Sequence, residues 1–193
     1  MRWRTALQIA VLGMALAGIA GVASAATLLV DDFDRGEKPN ALGGDYGAWN
    51  KDEADPTQRC VNSFDKASAF GGAGYSLRLD YDVDSPNPAY NGFWMKLQGV
   101  DASPYKHLVF YVRGDGSRGY TNQIKLEIKN GKEVGKYLFK GVTDQWERVS
   151  IPLQEFAGLT DLSAMTEFVV VFDDLNSTKQ VGTIYLDEIT LEN

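Results

Sequence analysis

The chain has 193 residues, 44% of them hydrophobic, with 19 Lys and Arg against 26 Asp and Glu and a single cysteine. That length suits one domain of ordinary size, with an interior large enough to fold without covalent staples. The acidic excess disfavours nucleic acid or an anionic membrane surface as partner and is compatible with neutral glycans and with calcium. Cys60, having no second thiol, excludes an intramolecular disulfide.

Residues 1–25 read as a signal peptide. Arg2 and Arg4 give a positive start, residues 6–19 are apolar apart from Gln8, and Ala23, Ser24 and Ala25 are the small residues that signal peptidase accepts. The apolar run is short and ends at a cleavage signature rather than at a stop-transfer cluster, so a retained membrane helix is the weaker reading. Cleavage would leave 168 residues, 26–193, as one domain. The leader holds two of the 19 basic residues and none of the 26 acidic ones, so the remainder carries 17 minus 26, or −9. With no Cys near the cleavage point to carry a lipid, the expectation is an exported protein, periplasmic or extracellular, without membrane insertion.

Beyond the leader a period of two dominates, and short runs rich in Val, Ile, Tyr and Phe alternate with Gly, Asn, Asp and Pro. The pattern predicts strands over 28–33, 75–83, 92–97, 107–113, 123–129, 136–140, 147–152, 167–172 and 183–191. Residues 34–74 are predicted irregular, broken by Gly43, Gly44, Pro56, Gly71 and Gly72. In 75–83 the odd positions Tyr75, Leu77, Leu79, Tyr81 and Val83 share a core face, and Ser76, Arg78, Asp80 and Asp82 share the other. In 123–129 Ile124, Leu126 and Ile128 point inward and Lys125, Glu127 and Lys129 outward. Asn130 and Gly131 then predict a type I′ hairpin to an antiparallel neighbour. The run Phe168 to Phe172 is apolar throughout and predicts a strand covered on both faces or bordering the sandwich centre. Short helical turns are expected only around 153–156 or 162–165. Nine or ten strands at this spacing give an all-β fold, a sandwich or barrel.

Five segments in order, LLVDDFDRG from Leu28, GGAGYSLRLDYDV from Gly71, SPYKHLVFYVRGDGS from Ser103, WERVSIPLQEF from Trp146 and TIYLDEITL from Thr183, resemble the family 11 carbohydrate-binding modules and the broader galactose-binding-like jelly rolls. They are also similar to complex I intermediate-associated proteins, which share that fold. The resemblance covers nearly all of the chain after the leader and implies a β-sandwich of jelly-roll type. It is less specific for function, because one sandwich hosts many. Family 11 modules are usually fused to a glycanase, whereas the last predicted strand here closes two residues before Asn193, so no attached enzyme is expected.

Candidate residues follow from this. A sugar ring offers an apolar CH face and a rim of hydroxyls, so its site needs flat aromatic rings beside planar polar groups. Alternation in GFWMKL sends Phe93, Met95 and Leu97 inward and Trp94 and Lys96 outward. In 107–113 Tyr111 and Arg113 likewise face out. Trp94, Tyr111, Arg113 and Glu127 are therefore candidates to share an exposed sheet face, with the loop aromatics Tyr90 and Trp49 at its rim. The alternative is that residues 34–74 cover this face and Trp94 is core. The resembling jelly rolls often carry a structural calcium between the loop after the first strand and an acid of the last, which maps onto Asp34 and Asp187. Asp32 lies on the same face as Asp34 if alternation holds. The alternative is solvated acids at strand ends. Catalysis is disfavoured: His107 is the sole histidine, it begins a strand, and no nucleophile motif accompanies it. The expected function is non-catalytic binding of an oligo- or polysaccharide across a sheet face. The rivals are a periplasmic protein-interaction or assembly factor and a small polysaccharide hydrolase or lyase.

Overall fold

The computed structural model describes residues 26–193; the predicted signal peptide lies outside them. These residues form eleven strands in two antiparallel sheets. One sheet contains β1 (Thr27–Asp31), β3 (Arg59–Asp65), β4 (Ser76–Asp82), β6 (His107–Gly114), β9 (Glu147–Pro152) and β11 (Val181–Glu192). Its order is β3-β4-β11-β6-β9, and β1 pairs with the C-terminal half of β11 where β4 leaves off. The other sheet contains β2 (Tyr46–Asn50), β5 (Tyr90–Val100), β7 (Gln123–Lys129), β8 (Val134–Lys140) and β10 (Met165–Asp173), in the order β2-β5-β10-β7-β8. This is the jelly-roll sandwich, and among the described residues no helix is long and apolar enough to cross a membrane.

The inward positions of both sheets meet as one core. Leu77, Leu79, Tyr81, Phe110, Val112, Ile184 and Leu186 come from the six-stranded sheet, and Phe93, Met95, Ile124, Leu126, Phe168, Val170 and Phe172 from the five-stranded one. All are the alternate residues that a pleated strand sends to one side. Tyr81 ties the layers together. Its ring stacks on Phe172 at 4.0 Å between centroids, and its hydroxyl accepts from the Thr121 N–H at 2.6 Å and donates to the Lys179 carbonyl at 3.2 Å.

Three local expectations are corrected. Residues 34–74 hold β2 and β3 rather than irregular chain alone. Their sequences, YGAWN and RCVNSFD, have little β-branched content, and their place is set by tertiary bonds: the Asn62 side chain accepts from the Ala48 N–H at 2.9 Å and the Asn50 side chain from the Cys60 N–H at 2.6 Å. These cross-links join the edge strands of the two sheets. The β7–β8 hairpin is antiparallel as expected, but its loop is four residues long, since Lys129 pairs with Val134. Asn130 Oδ1 accepts from the Lys132 and Glu133 N–H groups and closes the turn by its side chain. Of the two expected helical turns, Leu153–Glu155 forms as a 3₁₀ turn and 162–165 does not.

Candidate functional site

The outer face of the five-stranded sheet forms an open groove of about 410 Å³. Its floor is Val169 and Val171 of β10, the outward members of the continuously apolar run, which explains why that strand shows no alternation: one face is core and the other lies beneath the groove. One wall is aromatic. Trp94 of β5 pairs with Gly47 of β2, and Trp49 of β2 pairs with Gly92 of β5, so each indole stands opposite a residue without a side chain. A methyl group at Gly47 would meet the Trp94 indole at an ordinary contact distance of 3.4 Å, whereas one at Gly92 would fall 1.9 Å from the Val170 carbonyl, so the close approach of β10 requires glycine there. Tyr90, 43% exposed, lies beside Trp49 with ring centroids 5.9 Å apart and planes at 59°.

The other wall is polar. Glu167 of β10 accepts from Lys96 of β5 at 2.6 Å and from Lys129 of β7 at 3.0 Å, and Lys125 lies 3.5 Å from Asp173. Burial pushes the Glu167 carboxyl up, but the two lysine hydrogen bonds outweigh it and hold the acid below its ordinary range. Lys96 Nζ also sits 5.5 Å from the Trp94 ring centroid, within cation–π reach. Flat apolar rings facing fixed hydrogen-bonding groups across a shallow apolar floor are what a sugar chain requires.

The structure thus brings Trp49, Tyr90, Trp94 and Glu127 together at one groove. It separates Tyr111 and Arg113 from them. Both lie on β6 of the opposite sheet, so the shared face expected for Tyr111, Arg113, Trp94 and Glu127 does not exist. The two residues are also covered. Phe70 stacks on Tyr111 at 3.7 Å, and the Arg113 guanidinium lies between the rings of Trp146 and Tyr185, 5.4 and 4.9 Å from their centroids. Alternation identifies which residues leave the core but not which of two sheets they leave, and that was the information missing. Lys96, Lys125, Lys129, Glu167, Val169 and Val171 are groove residues that the sequence reading did not assign to the site; the lysines carried the same outward alternation, Val169 and Val171 lay in a run without any, and both become informative only once β10 is known to lie between β5 and β7.

Midway along β11, where β4 leaves off and β1 takes over, the acids of the β1 exit and of β11 meet. Asp187 is buried; its carboxylate accepts from the Phe70 N–H and from its neighbour Glu188 N–H, both at 2.9 Å. Burial, with the nearby Glu188 and Asp34 carboxylates, pushes its carboxyl up to about 7. Asp31 is buried too, with Oδ2 unpartnered, and burial pushes it to about 6. Alternation fails beyond Asp31 because Phe33 takes φ 53°, so Asp32 and Asp34 are neighbours through a turn in which the Asp34 N–H donates to Asp32. Among the described residues no three acids, histidines or cysteines converge closely enough to ligate one ion. The chemistry of the donor set, all oxygen and mutually repelling, still suits a hard cation completed by carbonyls and water.

A jelly roll with an aromatic groove across one sheet has the architecture of a glycan-binding module. The model of the carbohydrate binding domain (family 11) matches residues 19–181, and the chain belongs to that family. Among solved structures it is similar to the family 11 module of a cellulosomal cellulase of Clostridium thermocellum, at 14% identity and TM-score 0.63 over 88% of this chain and 95% of that one. A family 11 module from Clostridium thermocellum in complex with a β-1,3-1,4-mixed-linked tetrasaccharide aligns at 16% identity and TM-score 0.63, over 86% and 94% of the two chains. A family 27 module from Caldicellulosiruptor saccharolyticus in complex with mannohexaose aligns at 17% and 0.55, over 87% and 97%. No curated protein sequence matches the chain.

Proposed function

We propose that this is an exported, non-catalytic module that holds an oligo- or polysaccharide chain along the outer face of the five-stranded sheet. The observation that carries the reading is the groove itself, with Trp49, Tyr90 and Trp94 facing the Lys96–Glu167–Lys129 network over a floor of Val169 and Val171. Family membership supports glycan as the ligand class. The non-catalytic reading draws on the geometry of Glu167, whose two carboxylate oxygens are each held by a lysine, Oε1 by Lys96 and Oε2 by Lys129. Export rests on residues 1–25 alone. The test is electrophoresis of the protein lacking 1–25 through gels containing mixed-linked glucan, mannan, a uronan or a sulfated galactan. Retardation in at least one gel, lost in Trp94→Ala, supports the reading; free migration in all of them overturns it.

We also propose that calcium occupies the acidic cluster at the β1 exit, with Asp34 and Asp187 as ligands and Asp32 and Glu188 nearby. When bound it would supply charge compensation that pins the β1 exit to β11.

A further inference from the structure

The charge of the groove sheet runs against that of the molecule. The chain carries 26 acidic residues against 19 basic ones, yet the outward positions of this sheet hold Lys96 on β5, Lys125 and Lys129 on β7, and Lys136 and Lys140 on β8. Facing them are only Glu127, Glu167 and Asp173. Glu167 is shared by two lysines and Asp173 is met by Lys125, while Lys136 and Lys140 form none of the ion pairs among the described residues. The surplus is therefore positive and concentrated on β7 and β8. The aromatic rings stand at the other side, on β2 and β5. From β5 through β10 and β7 to β8 is three strand spacings, or about 14 Å, so a glycan stacked on Trp94 and crossing the strands passes over the lysines within a few sugar units.

Resting on the glycan-binding reading above, we propose that the ligand of this face is an anionic polysaccharide, in which uncharged faces of the rings stack on Trp49 and Trp94 while carboxylate or sulfate groups pair with Lys136 and Lys140, the lysines that no acid of the sheet holds. A neutral glycan would use the lysines only as hydroxyl donors and would give no reason for a basic surplus on an acidic protein. An acidic one explains both the local reversal of sign and its position beside the aromatic wall. The acidic remainder of the molecule then repels the same polymer, which confines it to this face.

The experiment uses the protein lacking 1–25 and a matched pair of ligands, mixed-linked glucan and the same glucan oxidised at C6 to carboxylates, with a sulfated galactan as the second anionic arm, all by calorimetry. Each exposed ion pair contributes a factor of roughly two to five, so the two lysines together favour the oxidised glucan by roughly four- to twenty-fivefold at low salt. The advantage should shrink in 0.5 M NaCl as screening sets in. Lys136→Glu with Lys140→Glu, both at exposed positions, should abolish the preference, and Trp94→Ala should weaken both glucans. Preference for sulfated galactan over oxidised glucan would identify sulfate as the recognised group. Equal or tighter binding of the neutral glucan overturns the anionic proposal and leaves the glycan site standing. Binding of no polymer overturns both. Anionic binding that is indifferent to Trp94→Ala and to the lysine pair overturns the proposal as adhesion elsewhere.

Discussion

Replacing Trp94 by alanine separates a ligand platform from a core residue. The indole is half-buried, resting on Gly47 rather than within the sandwich. A fully buried Trp costs about 3–5 kcal/mol on truncation because a closed cavity remains. Here the vacated space opens to solvent and only about half of the ring's contact area is lost, so the expected destabilisation is about 1–2 kcal/mol. Affinity should suffer more. Loss of one stacking ring removes about 1–3 kcal/mol, a factor of roughly five to 150. Urea melts and calorimetric titration of the same variant measure both quantities. A variant destabilised by about 4 kcal/mol or more that still binds with unchanged affinity when folded would refute the reasoning, for Trp94 would then belong to the core.

Further outcomes follow from the same structure. Tyr81→Phe keeps the stack on Phe172 but leaves the buried Thr121 N–H without its acceptor, so denaturant melts should show a loss of about 1–3 kcal/mol. Glu133 accepts from the Thr160 hydroxyl and N–H and from the Asp161 N–H, bonds that depress its carboxyl to about 2 from 4.5. Because the folded value is depressed, its stabilising contribution is complete above pH 4.5 and disappears as pH falls through about 2. The stability gap between the unaltered protein and Glu133→Gln should accordingly be flat near neutrality and close in acid. Calcium should raise the melting temperature relative to chelator, and Asp187→Asn should remove that shift; a shift that persists would place the ion elsewhere.

The strands that were legible in the sequence are those whose alternation is strong, such as 123–129, where Ile124, Leu126 and Ile128 face the core and the charged residues between them do not. β2 and β3 were hidden because their order comes from Asn50 and Asn62 bonding across to the neighbouring edge strand, a contact that no local period reports. The same distinction governs the site. Outward Trp94 and Glu127 were visible as outward, and their convergence with Trp49 and Tyr90 follows from β2 and β7 flanking β5 and β10. Tyr111 and Arg113 have the same local pattern, but β6 belongs to the other sheet, where Phe70 and Trp146 cover them. Net charge averages over both faces, so the acidic composition did not report that outward lysines gather on one of them.

The indole N–H resonances of Trp49, Trp94 and Trp146 test the location of the binding face most directly. They report the groove twice and the opposite sheet once. In a nitrogen–proton correlation spectrum titrated with a retained glycan, the signals of Trp49 and Trp94 should move with the amides of Val169 and Glu127, and that of Trp146 should stay in place. Movement of Trp146 with the amides of Tyr111 and Arg113, while Trp49 and Trp94 remain still, would put the glycan on the six-stranded sheet and contradict the account.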